Sequence, residues 1–287
     1  MAGIAYKPTL YGLPTTDYRL LAWSETMRIL VCVKQVPDPN TVVYQIDPAT
    51  KRLVRDGVTN ILDPGAEVAL EAALQLAERD DESTVTVVSM GPEDAEDALR
   101  RALAMGATDG ALITDDALAG SDALGTAKAL AATIKEIGFD LIFCATESTD
   151  GYTGMVPGMV AELLGIPHLS FIRSLAVQDN ILIGQRVVAR GYQTVQCPLP
   201  LLVAIASGSH EPRYPALKGI MSARRKKVEE YTLADLGLMA DDAGAIGARE
   251  RVLELRPVEE RQAGVIVEDA GTGAERIATL LRQRGVI

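Results

Sequence analysis

The sequence predicts an α/β protein: a doubly wound, mainly parallel sheet with helices on both faces, an antiparallel extension and a C-terminal arm. Three observations carry this reading. Short, continuous apolar runs such as residues 27–34 (MRILVCVK) and 84–90 (TVTVVSM) read as strands buried on both faces. Between them lie segments with apolar residues at helical spacing, opened by capping signals. The two kinds alternate from residue 27 to residue 165, as βαβ units do.

The elements follow in order. After the first strand, Gln35-Val36-Pro37-Asp38-Pro39-Asn40 reads as a loop. Asp63 is an N-cap, and Pro64 at the first helical position opens a helix over residues 66–77. The second strand ends at Met90, and Gly91-Pro92-Glu93-Asp94 opens a helix whose acidic first turn suits the positive end of the helix dipole. That helix stops near Gly106. Residues 110–114 and 140–145 read as strands, and 124–137 and 153–164 as helices, the last closed by Gly165. Past residue 167 the texture changes. Residues 174–177 and 181–184 flank a hairpin-like turn, 186–189 and 201–206 continue the extended pattern, and all are expected to add antiparallel strands. Residues 215–225 read as a helix.

Three segments follow: a flexible extension over residues 1–26, the α/β domain over 27–238, and a linker with a C-terminal arm over 239–287. The arm contains one strand, near residues 264–267, and one helix, near 274–284; too small for a core of its own, it is expected to pack on another chain.

Composition limits the function classes. The chain has 287 residues and a net charge of −11, which argues against nucleic acid as a partner. Its three cysteines, Cys32, Cys144 and Cys197, have no CxxC spacing, so a disulfide framework or zinc site is not expected and a reducing, cytoplasmic setting is. No apolar run is long enough to span a bilayer, so a membrane is expected only through a partner. The only histidines are His168 and His210, and neither has the context of a catalytic or metal-binding set: there is no GxSxG elbow, HExxH, P-loop or GxGxxG.

In a parallel sheet, the loops after Lys34, Met90 and Ala145 converge on one crevice, where ligands of such folds bind. Gly91, Gly151 and Gly154 allow close backbone approach there, and Ser148, Thr149 and Thr153 add hydroxyl donors. A helix starting near Thr153 would present unpaired N–H groups to an anion. Loops are rich in such residues for other reasons, so these alone leave a nucleotide site open. The run Arg224-Arg225-Lys226-Lys227 reads as a solvated face or as a local docking patch on an acidic protein.

Three segments go further. Arg28-Ile29-Leu30-Val31-Cys32-Val33-Lys34-Gln35-Val36-Pro37-Asp38, the helix from Gly91 to Ala107, and Glu211-Pro212-Arg213-Tyr214-Pro215-Ala216-Leu217-Lys218-Gly219-Ile220-Met221-Ser222-Ala223-Arg224-Arg225-Lys226-Lys227 together resemble electron transfer flavoprotein beta subunits. The resemblance covers the chain from Met27 onward. It implies a heterodimer in which an alpha subunit binds most of an FAD and the beta subunit holds a second adenine nucleotide, AMP or another FAD. The heterodimer would pass electrons between flavin dehydrogenases and an acceptor, either a quinone oxidoreductase or, in bifurcating members, ferredoxin or NADH. No residue of this chain need act as acid, base or nucleophile. By position, the nucleotide contacts would be Cys32, Asp63-Pro64-Gly65-Ala66, Met90 and Ser148-Thr149-Asp150-Gly151-Tyr152-Thr153-Gly154-Met155-Val156-Pro157-Gly158-Met159. The same resemblance marks Leu217 as the anchor for a partner dehydrogenase, with Arg224, Arg225, Lys226 and Lys227 beside it, and the tail as an arm that wraps the alpha subunit.

The departures bear on which nucleotide is bound. AMP-binding members resemble NPFD or NPFC where this chain has Asp63-Pro64-Gly65-Ala66, so the aromatic near the partner's flavin is replaced by Gly65. They also carry a run like DDDxNQTG, whereas this chain has Asp150-Gly151-Tyr152-Thr153-Gly154, nearer the DGDTxxVGP of bifurcating members. Glycine in place of a carboxylate opens room and removes negative charge beside a phosphate, which favours FAD. A stand-alone ATP-binding or ATP-hydrolysing protein of the same topology is the rival reading. Its phosphate loop, like GxxGxxxxGS, is not found in this chain.

Overall fold

The computed structural model describes residues 26–41, 45–55, 57–255, 264, 266, 269 and 271–287. The extension expected over residues 1–26 lies outside these except for its last residue, as do residues 265 and 267 of the strand expected near residues 264–267. The described residues form two compact units, one ending at Arg251 and the other beginning at Val252.

The first unit is built on a nine-stranded sheet. Its strands are β1 (Arg28–Cys32), β4 (Thr84–Met90), β5 (Asp109–Ile113), β6 (Leu141–Ala145), β7 (His168–Gln178), β8 (Ile181–Val188), β9 (Gly191–Pro198), β10 (Leu201–Ile205) and β11 (Val228–Tyr231). Two further strands, β2 (Gln35–Pro37) and β3 (Asn60–Leu62), pair antiparallel as a separate ribbon. The helices are α1 (Pro64–Ala77), α2 (Glu96–Met105), α3 (Ala123–Ile137), α4 (Val156–Leu164), α5 (Leu217–Ala223) and the one-turn α6 (Gly244–Gly247). The strand order is β11-β5-β4-β1-β6-β10-β7-β8-β9, parallel as far as β7 and antiparallel over β7, β8 and β9.

Alternate residues of the central strands face opposite layers. Ile29, Val31, Val87, Phe143 and Val203 pack against Leu70, Leu74, Leu99 and Leu103 of α1 and α2. Leu30, Val88, Ile113, Ile142 and Leu202 pack against Leu130 and Ile134 of α3 and Val160 of α4. A sheet covered on both faces needs strands apolar at every position, and β6 and β10 are (LIFCA and LLVAI).

That requirement corrects one expectation. Residues 201–205 are not part of the antiparallel extension: β10 returns to lie parallel between β6 and β7. All five of its residues are buried, as an inserted central strand demands. The antiparallel extension is instead β7, β8 and the unpredicted β9, the last largely exposed at the sheet edge. The segment 35–40 is likewise only partly a loop, since Gln35–Pro37 pairs with Asn60–Leu62.

From β1 the chain builds outward through β4 and β5, then returns to place β6 on the other side of β1. The order therefore reverses at the β1–β6 seam, where Cys32 and Cys144 lie in register near the strand ends. Open α/β sheets form their ligand crevice at such a reversal, beyond the strand C-termini.

In the second unit, α7 (Gly273–Gln283) is the described helix, and along it Ile277 and Leu280 are about half exposed, at 54% and 49%.

Candidate functional site

The crevice is organised by two carboxylates. Asp63 caps α1, with its Oδ1 accepting from the backbone N–H of Gly65 at 2.7 Å and of Ala66 at 3.4 Å. Its Oδ2 accepts from the backbone N–H and the hydroxyl of Thr149, at 2.7 and 3.0 Å. The buried Asp63 thus joins the N-terminus of α1 to the loop between β6 and α4. The helix start sits close against β6: a Cβ on Gly65 would lie 3.2 Å from the Ala145 Cβ and 3.1 Å from Asp63 Oδ1. A larger residue there would have to push the two apart.

The second carboxylate is Asp150, whose side chain is fully enclosed. Lys34 Nζ lies 2.6 Å from one oxygen and an Arg55 terminal nitrogen 2.5 Å from the other. Lys34 also donates to the Ser148 hydroxyl at 3.4 Å. Burial would raise the Asp150 pKa, but the Lys34 charge and hydrogen bond, helped by Arg55 and Ser148, hold it below the ordinary carboxylate value. Gly151 follows directly, and a Cβ on it would approach the Ser148 hydroxyl to 3.1 Å and Lys34 Nζ to 3.8 Å.

Arg55 arrives from outside the sheet. Residues 45–54 fold back on themselves through an Ile46–Leu53 bridge and backbone bonds from Asp47 to Arg52 and from Val54 to Gln45. At one side of this excursion the Arg52 guanidinium occupies the space a side chain on Gly120, past the end of β5, would need. At the other, Arg55 reaches Asp150, past the end of β6. The excursion therefore spans the carboxyl edge of the sheet from β5 to β6.

The loop runs longer than expected. Tyr152 and Gly154 adopt φ values of +49° and +62°, and α4 begins at Val156 rather than near Thr153. A residue in the left-handed region cannot belong to a right-handed helix, so Gly154 sets the limit. Met155 offers α4 no side-chain cap, and Pro157 has no N–H, so the opening donors of this nine-residue helix are not met by a cap.

The expected nucleotide contacts are only partly gathered here. Cys32, Met90, Asp63-Pro64-Gly65-Ala66 and Ser148-Thr149-Asp150-Gly151 stand at the carboxyl edge or directly after it. Tyr152 is 65% exposed and Met155 46% exposed. Gly158 and Met159 lie within α4, Gly158 beside the His168 ring and Met159 packed against the core. Lys34 and Arg55 were not among the expected contacts. The position of Lys34, just beyond a buried strand, is a signal available in the sequence; Arg55 is brought in only by the tertiary course of residues 45–54.

The signature segment around α5 lies elsewhere. Arg213 is clamped by Glu71 and Glu78 of the α1 region, while Tyr214, Leu217 and Met221 are 86%, 74% and 58% exposed. Of the basic run, Lys226 turns inward and donates to the Ala107 carbonyl, and Lys227 pairs with Glu229 at 2.8 Å. Arg224 and Arg225 are exposed and take part in no described ion pair.

Taken together, two cations, a helix start without a side-chain cap and closely approached backbone give the edge at the strand-order reversal the donors and positive charge that suit an anion. Among the described residues no helix is long and apolar enough to cross a membrane, and no group of three His, Cys, Asp or Glu side chains is placed to hold a metal.

Comparison with known proteins adds to this geometry. Residues 50–236 match the family model described as "Electron transfer flavoprotein domain". The chain is 39% identical over 263 residues to the electron transfer flavoprotein subunit beta of Thermoanaerobacterium thermosaccharolyticum, covering 91% of this chain and 100% of the relative. It is 38% identical over 251 residues to the same subunit of Megasphaera elsdenii, covering 84% and 92%. It is 37% identical over 219 residues to the caffeyl-CoA reductase–Etf complex subunit CarD of Acetobacterium woodii, covering 76% and 83%.

Proposed function

The chain belongs to the electron transfer flavoprotein family as a beta subunit, and from that premise we propose that its crevice holds an adenine nucleotide, AMP or a second FAD, beside an alpha subunit that carries the first FAD. Its role is electron transfer within a flavoprotein formed with an alpha partner. The proposed donors and acceptors are flavin dehydrogenases and a quinone oxidoreductase or, in a bifurcating complex, ferredoxin or NADH. The A. woodii relative, named as part of a reductase–Etf complex, supports considering the latter.

The observation that carries the nucleotide assignment is the Lys34–Asp150–Arg55 cluster at the β1–β6 reversal, one loop away from an α4 start without a side-chain cap. The residues present fit a phosphate. Gly65 and Gly151 keep the backbone free of side chains where it runs closest to Ala145 and Lys34, and both cations keep substantial exposure, at 41% and 44%. Flavin, when bound, supplies reversible one- and two-electron transfer. The chain's part is to hold the nucleotide by Asp63-capped α1, Ser148, Thr149 and Lys34, and to limit water at the crevice.

Two surfaces fit partner binding. Tyr214, Leu217 and Met221 form an apolar exposure around α5, with Arg224 and Arg225 beside it, suited to docking a dehydrogenase through Leu217. The half-exposed Ile277 and Leu280 on α7 give the arm an apolar stripe for the alpha subunit. Co-purification with an alpha-type partner tests the reading. A flavin-containing heterodimer reduced by a flavin dehydrogenase supports it; a heterodimer that assembles without flavin contradicts it.

A further inference from the structure

We propose that Arg100 is a positioning residue for partner docking: it holds the carboxyl end of α5 on α2, so that Leu217 and Met221 are presented together to a dehydrogenase. The inference rests on the docking reading above and names the residue that fixes the geometry of that surface from behind it.

Helix α5 has little means of holding itself. It has seven residues, of which Ala223 alone is buried, and its N-cap residue, Ala216, makes no side-chain capping bond. Helices shorter than about twelve residues are marginal in water and are normally fixed by packing an apolar face. Here the large apolar residues do the opposite. Leu217 and Met221, four apart and so on one face, stand exposed.

Helix α2 supplies what α5 lacks. At the carboxyl end, Arg100 Nη1 donates to the Ala223 carbonyl at 2.8 Å and to the Lys226 carbonyl at 2.5 Å. A cation there suits the negative end of the helix dipole. In the middle of α5, a Cβ on Gly219 would fall on the Ala104 carbonyl oxygen, so the two backbones meet without a side chain between them. Ahead of α5, the Arg101 guanidinium lies 5.1 Å from the centre of the Tyr214 ring.

Arg100 is itself fixed. Glu96, one turn earlier in α2, accepts from its Nε at 2.7 Å, and Nη2 lies 2.5 Å from the same oxygen. That leaves Nη1 for the two carbonyls. With both edges of the guanidinium occupied inside the subunit, its influence on a partner passes through α5. A docking segment that is already ordered spares the complex the entropy of ordering it. Without Arg100, a dehydrogenase would have to fix α5 on binding. Encounter would weaken, while transfer within the assembled complex would keep its rate.

The test uses the heterodimer as acceptor for a substrate-reduced flavin dehydrogenase, with the rate followed as heterodimer concentration rises. Arg100→Gln is expected to raise the half-saturating concentration about tenfold and leave the limiting rate within about twofold, and Arg100→Lys to recover part of the loss. Gly219→Ala, which forces α5 off α2 with Arg100 intact, is expected to raise half-saturation in the same way. In a Leu217→Ala background, Arg100→Gln is expected to add less than about twofold, because both act through one contact. A further loss of about tenfold there would make Arg100 an independent contact and overturn the inference. So would an Arg100→Gln heterodimer in which the backbone amides of residues 217–223 exchange hydrogen at the wild-type rate. If Leu217→Ala raises half-saturation and Arg100→Gln does not, this inference alone falls. If Leu217→Ala leaves it unchanged, the docking reading falls as well.

Discussion

The Asp63 carboxylate accepts two hydrogen bonds from Thr149, one from its N–H at 2.7 Å and one from its hydroxyl at 3.0 Å, while its other oxygen caps α1. One buried side chain thus sets the N-terminus of a core helix and the course of the loop after β6. Asp63→Ala removes the cap and leaves buried N–H groups without partners, so it is expected to lower stability by about 1–3 kcal/mol. It is also expected to weaken nucleotide retention. Chemical denaturation and a count of nucleotide in the purified heterodimer check both. A variant of unchanged stability would remove Asp63 from its joining role.

Glu71 and Arg213 make a second long-range tie, between α1 and the segment ahead of α5. The Glu71 side chain is 5% exposed, and Arg213 meets it through three nitrogens, at 2.8, 3.0 and 3.1 Å. Burial would raise the Glu71 pKa, but the hydrogen bonds from Arg213 and Gln75 outweigh it and hold the pKa below its ordinary value. The sign follows. A carboxylate with a depressed folded pKa contributes stability that is complete above its unfolded pKa, about 4.3, and is lost as pH falls through the folded value. Arg213→Gln is therefore expected to cost about 2–4 kcal/mol at neutral pH by leaving Glu71 charged and under-compensated. The gap to wild type should narrow as the pH drops through the folded Glu71 pKa. Urea titrations across that range check it, and a pH-independent gap would contradict it.

At the β1–β6 seam, Cys144 is buried, and the neighbouring Cys32 thiol together with burial pushes its thiol well above the usual pKa. Cys197 is pushed up by burial as well. Iodoacetamide should therefore label the native protein at the part-exposed Cys32 and spare Cys144 and Cys197, as read by mass spectrometry. Bound nucleotide should slow that labelling. Labelling of Cys144 at the rate of an open thiol would show that the seam is not packed as described.

Leu217 is 74% exposed, so Leu217→Ala should change stability by less than about 0.5 kcal/mol. As the proposed anchor for a dehydrogenase, the same substitution should slow electron transfer from that partner at least tenfold or so. Stopped-flow reduction of the heterodimer measures this, and an unchanged rate would place the dehydrogenase elsewhere.

How far the molecule can be read from its sequence follows from which signals are local. The Asp63-Pro64 start of α1 and the apolar runs of β1, β4 and β6 are local, and they stand close to where the sequence placed them. Pairing partners are not local. The run LLVAI has the texture of a strand buried on both faces, but nothing in it says that the chain returns from the sheet edge to insert between β6 and β7. Strand β11 (VEEY) is hidden by Glu229 and Glu230, which an edge strand can point to solvent. In the crevice, the glycines and hydroxyls of residues 148–154 are local signals for close backbone approach. Arg55 meets Asp150 across 95 residues, and no periodicity could announce that contact.

The central claim is the proposal that this subunit's crevice holds an adenine nucleotide, AMP or a second FAD, beside an alpha subunit that carries the first FAD. Gentle denaturation of the purified heterodimer, with quantification of released FAD and AMP, tests it most directly. One FAD and one further adenine nucleotide per heterodimer, either a second FAD or an AMP, is the predicted result. About one FAD per heterodimer and no second nucleotide would contradict it.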